Sequence, residues 1–435
     1  MGYVINVSRH KIFRITADNS LISAFARGED QRTDMSEKIV ITGLGAVTPV
    51  GTGTENYWQG LLSGRCGIGP ITRIPADALA VKSFGEVKDF QPQDHIPARQ
   101  CRELDRFMQF AFTAAEEALA DSGLTESGDR VGIVMGTALA GLSLISDTQA
   151  ASTSEGKKVG PRFVSMVMGN ISASQFAIAH GITGPSLTVT TACSSGGDAL
   201  KTAAMLLKLG EADVMVVMAG ESSENGILIE SLARAMALSK AGRSMPFGAD
   251  RDGFVMGEGG GAIILETEEH ALARGARIHA ELLAAANTND AYHTVSPEPD
   301  GSGAARCIRL ALQEAGLAPE DIGYLNAHGT ATKLGDVAET VAIHRVFGDC
   351  PVPVSSTKGA TGHMMGAGGI TELIACVKAI ETGILPANTG MGTQDPACDL
   401  NIISAPVQSP IRTAMSNSLG FGGQNSSVIL GRAEP

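Results

Sequence analysis

Cys193 is the residue whose local sequence most strongly indicates chemistry. It lies in Thr190-Thr-Ala-Cys-Ser-Ser-Gly-Gly197, between a predicted strand and a predicted helix. At the N-terminus of a helix, the macrodipole and the free backbone N–H groups favour a thiolate, the nucleophilic form of cysteine. The small residues at 194–197 leave room for a substrate, as in the turns that carry serine nucleophiles. We therefore predict a nucleophile at Cys193, whereas buried structural roles suit the remaining cysteines: Cys66, Cys101, Cys307, Cys350, Cys376 and Cys398.

Two histidines and a lysine are candidates for partners of the nucleophile. His328 follows an apolar run in Asn326-Ala-His-Gly-Thr-Ala-Thr332, and His363 directly precedes a helical pattern. Ligand groups of open α/β sheets collect at such carboxyl ends of strands. A histidine at a helix N-terminus is biased toward its neutral form, which can donate a hydrogen bond to a developing oxyanion. Lys358 is either a surface lysine or a buried one held by a carboxylate, for which Glu339 and Asp336 are the candidates.

Short apolar runs alternate with longer helical patterns along the chain. The runs are apolar nearly throughout, which is typical of strands covered on both faces; they are residues 131–135, 187–191, 214–218, 262–265, 322–325, 352–355 and 428–430. The helical patterns cover 106–122, 194–209, 303–315 and 369–381, and each is followed by a glycine suited to a C-cap. This alternation predicts an α/β fold.

The chain contains an internal repeat. Ala118-Leu-Ala-Asp-Ser-Gly-Leu124 precedes a run that opens Val131-Gly, and Ala311-Leu-Gln-Glu-Ala-Gly-Leu317 precedes one that opens Ile322-Gly. In the same order, the strand, cysteine and helix of 187–210 match the strand, Gly-rich loop and helix of 352–383. Two matches in one order predict two similar halves, joined near residues 285–295.

Composition excludes several classes of protein. The 33 Lys and Arg residues against 46 Asp and Glu residues give a net charge of −13, which argues against nucleic-acid binding. The apolar runs fall short of the roughly 20 residues of a membrane span. Seven scattered cysteines without a CxxC pair fit a reducing compartment, so we expect a cytoplasmic protein. Residues 1–37 precede the globular pattern as an extension, either the product of an upstream start or a docking or targeting arm.

The motifs of common cofactor and metal sites do not occur. Gly43-Leu-Gly-Ala-Val-Thr-Pro-Val-Gly51 follows a predicted strand but is not GxGxxG, and the sequence has neither a P-loop nor HExxH. A metal site made by Cys193, His328 and His363 is not expected, because it would be distorted and would lie beside a lysine. We expect no cofactor.

Six motifs in one order resemble the β-ketoacyl-acyl-carrier-protein synthases. The resemblance covers residues 37–432 and is nearest to synthase II of the elongating I/II class. Each motif alone is weak, but the ordered set is specific: Ile39-Val-Ile-Thr-Gly-Leu-Gly, Thr191-Ala-Cys-Ser-Ser-Gly, Asp250-Arg-Asp-Gly-Phe-Val-Met-Gly-Glu-Gly, Asn326-Ala-His-Gly-Thr, Ser356-Thr-Lys-Gly-Ala-Thr-Gly-His and Asn417-Ser-Leu-Gly-Phe-Gly-Gly-Gln-Asn425.

The resemblance implies a thiolase-like fold, with two similar halves in αβαβα layers and a homodimer. It divides the chain into an extension at 1–37, a half with the nucleophile at 38–287 and a half with the two histidines at 288–435. It also implies two carrier-protein substrates, acyl-ACP and malonyl-ACP. Cys193 would accept the acyl group, and malonyl-ACP would lose CO2 and attack the thioester, giving a 3-oxoacyl product two carbons longer.

The resemblance also implies roles for the residues of the motifs. His328 and His363 would donate hydrogen bonds to the malonyl thioester oxygen, and the backbone N–H groups of Cys193 and Phe421 would form the oxyanion hole. The Phe421 ring would gate malonyl access. Lys358, paired with Glu339 and supported by Asp336, would set the electrostatics of the site. Leu139 would shape the acyl pocket, and further substrate contacts are expected from Thr330, Thr332, Gly420 and Gly422.

Two positions depart from the family pattern, and one surface is expected to bind the carrier protein. Leu419 and Gln424 stand where Phe and Thr are usual, which leaves the chain-length preference open. Because carrier proteins are acidic and this chain is too, docking needs a local basic patch. The candidates for that patch are Lys157, Lys158, Arg162 and Arg234, although a solvated face without a partner also explains them.

Other members of the same superfamily remain as alternatives. A polyketide ketosynthase with an intact site has the same residues. A non-catalytic chain-length subunit would lack the cysteine that stands at 193. A degradative thiolase would need a second catalytic cysteine in the Gly-rich loop at 420–423, and an initiating synthase would carry Asn where this chain has His363.

Overall fold

The central strands consist of apolar and small residues and are buried along their whole length. In the computed structural model, which describes residues 37–88 and 90–433, Ile39–Thr48, Val131–Gly136 and Val214–Glu221 are buried at every position. Burial on both faces explains why these runs lack the alternation of a half-exposed strand. The predicted extension, apart from Glu37, lies outside the described residues.

Fifteen strands are present in the described part of the chain. They are β1 (Ile39–Thr48), β2 (Gly51–Thr52), β3 (Ile68–Pro70), β4 (Ser83–Gly85), β5 (Val131–Gly136), β6 (Ser186–Val189), β7 (Val214–Glu221), β8 (Gly259–Thr267), β9 (Ala280–Asn289), β10 (Tyr324–Asn326), β11 (Val354–Ser355), β12 (Ile384–Leu385), β13 (Val407–Gln408), β14 (Thr413–Gly420) and β15 (Gln424–Gly431).

The same residues contain thirteen α-helices. They are α1 (Thr54–Leu62), α2 (Ala98–Cys101), α3 (Arg106–Ser122), α4 (Leu142–Glu155), α5 (Phe163–Val167), α6 (Gly169–His180), α7 (Ser195–Lys208), α8 (Gly226–Arg234), α9 (Glu268–Ala273), α10 (Ser302–Ala315), α11 (Lys333–Phe347), α12 (Lys358–Thr361) and α13 (Met365–Thr382). Helix α3 has the predicted bounds, and Gly123 ends it with a φ of 63°. Within the described residues, no helix combines the length and the apolar character needed to cross a membrane.

Both halves of the main sheet have the same strand order. The order is β11-β10-β14-β15-β9-β1-β8-β7-β5-β6, and antiparallel pairing of β1 with β9 joins the halves. Outward from this junction, each half runs through its first, fifth, fourth, second and third strand, and the last three pair in parallel. The predicted α/β fold with two similar halves is therefore confirmed. The boundary predicted between 287 and 288 falls inside β9, and this division remains a prediction.

Helices cover the sheet halves on their outer faces and fill the space between them. Helix α3 packs on β1, β7 and β8, and α10 packs on β9 and β15. Between the halves, α7 contacts β5 and β7, α13 contacts β8 and β14, and the two helices touch each other. The N-termini of α7 and α13 directly follow Cys193 and His363, so the layering brings the two predicted site residues to the same region.

Candidate active site

Cys193 lies in a tight turn between β6 and α7. Residues Ala192–Ser194 form one turn of 3-10 helix, and Ala192 has a φ of 51°, in the left-handed region that a non-glycine residue rarely adopts. The Ser194 hydroxyl donates to the carbonyl of Ser418 at 3.0 Å and that of Gln424 at 2.8 Å. The turn of the nucleophile is therefore tied to the ends of β14 and β15.

Cys193 and the two predicted histidines meet in one place. Cys193 Sγ lies 2.9 Å from His363 Nε2, and the ring centroids of His328 and His363 are 5.3 Å apart at 85°. The sulfur and one nitrogen of each imidazole all lie within 4.8 Å of one another, and all three side chains are buried. The structure thus brings together three groups that are 135 and 35 residues apart in the sequence.

The backbone around each histidine is held by fixed partners. The carboxylate of Glu339, on α11, accepts the N–H of His328 and the N–H of Gly329, both at 2.8 Å. The N–H of His363 donates to the carbonyl of Val255 at 2.7 Å. Glu339 therefore acts on the site by fixing the turn after β10.

Burial dominates the protonation of the site. Burial, together with the nearby charge of Lys358, places the pKa of His328 and that of His363 well below the usual value, so both imidazoles are neutral. Burial raises the pKa of Cys193 to about 12, although Lys358 and the N–H of Phe421 act in the opposite direction. Burial thus works against the thiolate predicted from the helix terminus, and the neutral thiol lies at hydrogen-bond distance from His363 Nε2. Neither Nδ1 has a hydrogen-bond partner among the described residues.

Lys358 is fully buried, but its partner is not the one predicted from the sequence. Its ammonium group binds the carboxylate of Glu372, on α13. Both oxygens of Glu339 are already occupied by backbone N–H groups, and Asp336 accepts the N–H of Phe247 at 2.7 Å. The predicted pairing of Lys358 with Glu339 or Asp336 is therefore wrong. Burial raises the pKa of Glu339 to about 7 and that of Asp336 to about 6.

The hairpin between β14 and β15 closes the other side of the nucleophile. The N–H of Phe421 donates toward the sulfur of Cys193, and the Phe421 side chain is partly exposed. A cavity of about 760 Å³ lies beside this hairpin. Of the predicted site residues, it is lined by Cys193, His328, His363, Thr330, Thr332, Asp336, Glu339, Gly420 and Phe421.

Two predicted substrate contacts and the predicted docking patch do not line this cavity. Leu139 and Gly422 do not line it. Lys157, Lys158, Arg162 and Arg234 are exposed and do not line it either, and three of them have acidic neighbours: Glu155, Glu103 and Glu230. Among the described basic residues, Lys240 and Lys333 are exposed and line the cavity. Because no residue spacing distinguishes these two lysines, the sequence did not single them out.

The donor atoms of the site are suited to a metal such as zinc, but the charge near the site is not. A thiol and two imidazoles within 4.8 Å match the ligand types of zinc sites. The buried ammonium of Lys358, however, lies near enough to lower the pKa of both histidines, and the same charge repels a cation. The residues therefore fit a nucleophile with hydrogen-bond donors better than a resident metal.

Comparisons with known proteins agree with this chemistry. The family model described as the β-ketoacyl synthase N-terminal domain matches residues 36–271, and the model of the C-terminal domain matches 279–391. A protein of Synechocystis sp. named 3-oxoacyl-[acyl-carrier-protein] synthase 2 is 41% identical over 406 residues, which are 91% of this chain and 98% of that protein. A protein of the same name from Staphylococcus aureus is 38% identical over 411 residues, 92% and 99% of the two chains.

Solved structures show the same likeness. The ishigamide ketosynthase/chain length factor superposes with a TM-score of 0.86 at 34% identity, covering 92% of this chain and all of that chain. The AntDE:AntF structure, described as a type II PKS acyl-carrier protein in complex with its ketosynthase bound to the hexaketide, gives a TM-score of 0.83 at 30% identity, over 91% of this chain and all of that chain. These findings confirm the family and the thiolase-like fold class predicted from the six motifs, and with them a condensing enzyme of the acyltransferase type.

Proposed function

Because the chain belongs to the β-ketoacyl synthase family, we propose that it is an elongating 3-oxoacyl-[acyl-carrier-protein] synthase. The observation that carries this proposal is the contact between the Cys193 thiol and a neutral His363, with His328 beside them in a cavity. A nucleophile, two neutral hydrogen-bond donors and a backbone N–H in one pocket are what two-step acyl transfer needs.

In the first half-reaction, the acyl group moves from a carrier protein to Cys193. The thiol is neutral at rest, so its proton must leave as the sulfur attacks. His363 Nε2, at 2.9 Å, accepts that proton and passes it to the sulfur of the departing carrier. The bond between Sγ and the acyl carbon forms, and the bond between that carbon and the carrier sulfur breaks. The N–H groups of Phe421 and Cys193 stabilise the oxyanion formed on the way.

In the second half-reaction, malonyl-carrier protein loses CO2 and condenses. The bond to the carboxylate breaks, and its electron pair forms an enolate whose oxygen accepts hydrogen bonds from His328 and His363. Their neutral form suits this role, because a neutral imidazole donates without first protonating the substrate. His363 donates through Nε2 once its ring proton has moved there from Nδ1. The enolate carbon attacks the acyl carbon on Cys193, the C–S bond breaks, and the freed sulfur takes a proton from water. Burial and the charge of Lys358, which is paired with Glu372, keep both imidazoles unprotonated.

We propose acyl-ACP and malonyl-ACP as the partners, with carriers approaching the mouth of the cavity. One structural relative is described as a ketosynthase in complex with an acyl-carrier protein, which supports this assignment. Lys240 and Lys333 at the cavity add two basic candidates to the four predicted from the sequence. The curated relatives at 38–41% identity favour fatty-acid over polyketide synthesis, since the polyketide structures match at 30–34%.

A homodimer in the cytoplasm completes the proposal. Strand β6 pairs with β5 on one side, and within the described residues its other edge is free. Leu187, on this strand, is 47% exposed, and Ile178, on the adjacent α6, is 77% exposed. An exposed edge strand with apolar side chains is suited to pairing with a second copy. All seven cysteines are free, as a reducing compartment requires.

The test is acylation of the purified full chain by acyl-carrier proteins of graded chain length, followed by peptide mass spectrometry. We expect an acyl adduct on the Cys193 peptide that malonyl-carrier protein discharges, and no adduct in Cys193→Ala. Acyl transfer that persists in Cys193→Ala would overturn the assignment of the nucleophile. Acylation by polyketide intermediates alone would favour the polyketide alternative.

A further inference from the structure

Glu221 is a fully buried carboxylate that the steps above do not use. It ends β7, and its two oxygens accept three backbone N–H groups. Oε2 accepts from Ala138 at 2.7 Å and from Gly366 at 3.3 Å, and Oε1 accepts from Leu139 at 3.3 Å. Ala138 and Leu139 belong to the turn after β5, whereas Gly366 lies in the first turn of α13. One side chain therefore joins two segments that are far apart in the sequence.

Both segments are strained next to their contact with Glu221. Ala140 follows Leu139 and has a φ of 48°, and Met365 precedes Gly366 with a φ of 44°. The left-handed region is unfavourable for residues with a Cβ, so it persists only where neighbouring contacts enforce it. The segments also touch directly, because a Cβ on Gly366 would lie 2.5 Å from the N of Ala138.

The two segments form part of the apolar wall around the nucleophile. Met365 lines the cavity and belongs, with Cys193, to one buried apolar cluster, against which Ala138 also packs. The same cluster contains Ile229 and Phe254. An acyl chain attached to Cys193 is apolar and must leave the polar side of the site, where the histidines bind the malonyl group. This cluster offers it an apolar surface next to Cys193.

We infer that Glu221 is a positioning residue for acyl-chain binding: it locks the 138–140 turn to the start of α13 and so fixes the wall beside Cys193. The inference deepens the proposed function and rests on it. Glu221 itself does not line the cavity, so its effect passes through the backbone of Met365 and of the turn.

The charge of Glu221 gives a second, independent readout. Burial is the main cause of the raised pKa of the Cys193 thiol, and the negative charge of the Glu221 carboxylate raises it further. Burial raises the pKa of Glu221 itself to about 7, so its carboxylate is fully charged only well above that pH. In that alkaline range, removing the charge should make Cys193 easier to deprotonate and speed its alkylation by iodoacetamide. Moving the carboxylate without removing it should leave the alkylation rate largely unchanged.

The experiment compares Glu221→Gln and Glu221→Asp with the wild-type chain. The amide of glutamine presents an N–H2 group to at least one of the three backbone donors, and aspartate is too short to reach both segments. We expect the acylation efficiency with a long-chain acyl-carrier protein to fall about 10-fold in both variants, a factor equivalent to about 1.4 kcal/mol or one hydrogen bond. Acetyl transfer and malonyl decarboxylation should stay near wild type, and alkylation should be faster in Glu221→Gln alone.

Glu117→Gln is the matched control. Glu117 also accepts N–H groups from two segments, Ala46 at 2.9 Å and Thr54 at 2.6 Å, but neither of these residues lines the cavity, whereas Met365 beside the Glu221 contact does. Its variant should keep the wild-type profile. The inference would be overturned if acylation efficiency fell equally with long-chain and acetyl donors. It would also be overturned if both Glu221 variants acylated every donor as efficiently as the wild-type chain. If Glu221→Gln does not fold, the comparison of long-chain acylation with acetyl transfer in Glu221→Asp tests the inference by itself. Failure of the proposed function is separate, because it would appear in the wild-type chain as no acylation of Cys193 by any donor.

Discussion

Replacing Gly420 with alanine is expected to slow acylation of Cys193 by about 10²–10³-fold, the cost of losing one oxyanion donor. A Cβ at position 420 would lie 2.8 Å from the carbonyl oxygen of Thr191 and 3.2 Å from the N of Cys193. Ordinary contact begins at 3.4 Å, so the two loops must separate by about 0.6 Å. The next residue is Phe421, whose N–H must stay within hydrogen-bond reach of the reacting oxygen.

The assay is a single-turnover acylation of the Cys193 peptide, with iodoacetamide alkylation as a check that the thiol is present. Gly160→Ala is the control, because no atom lies within 4 Å of its added Cβ and its φ is not left-handed. It should acylate at the wild-type rate. If Gly420→Ala acylated Cys193 at the wild-type rate, the oxyanion site could not depend on the close approach of these two loops.

Three further predictions concern buried titratable side chains. Glu372→Gln leaves Lys358 without its partner and should lower the free energy of unfolding, measured by urea titration, by about 3–5 kcal/mol. The double variant Lys358→Met/Glu372→Gln should recover part of that loss. Unchanged stability in Glu372→Gln would contradict the pairing. His328→Ala should acylate normally but release no CO2 from malonyl-carrier protein, whereas His363→Ala should also acylate more slowly, because of these two histidines it is His363 that lies at hydrogen-bond distance from the thiol. Equal acylation rates in the two variants would contradict that difference. Burial opposes the protonation of His279, but hydrogen bonds and charges of Asp121 and Glu381 raise its pKa, so its stabilising effect is full below about pH 6.5 and is lost as the pH rises through the raised value. In His279→Gln, the free energy of unfolding should therefore decrease less as the pH rises into the alkaline range. An unchanged decrease would mean that other groups cause it.

The sequence located the reactive groups because each stands at a junction between a strand and a helix. Cys193, His328 and His363 all follow or precede a recognisable run, and the layered fold brings such junctions together. The α/β class and the bounds of α3 were predictable for a similar reason, since apolar periodicity and the stop at Gly123 are local signals.

The partners of buried charges were not predictable, because they depend on packing across the molecule. Lys358 binds Glu372 on the next helix, while Glu339, its expected partner, holds the backbone at His328. Glu221 ends an otherwise apolar strand, and nothing in its spacing shows that it reaches two loops. The effect of burial on the Cys193 thiol was not predictable for a related reason: a helix terminus is visible in the sequence, but complete burial is not.

The most direct test of the condensing function is a product measurement with the purified full chain, an acyl-carrier protein and malonyl-carrier protein. We expect one CO2 released for each 3-oxoacyl product two carbons longer than the acyl donor, and loss of that product in Cys193→Ala. Hydrolysis or exchange of the acyl group without a lengthened product, in a chain whose Cys193 is acylated, would contradict it.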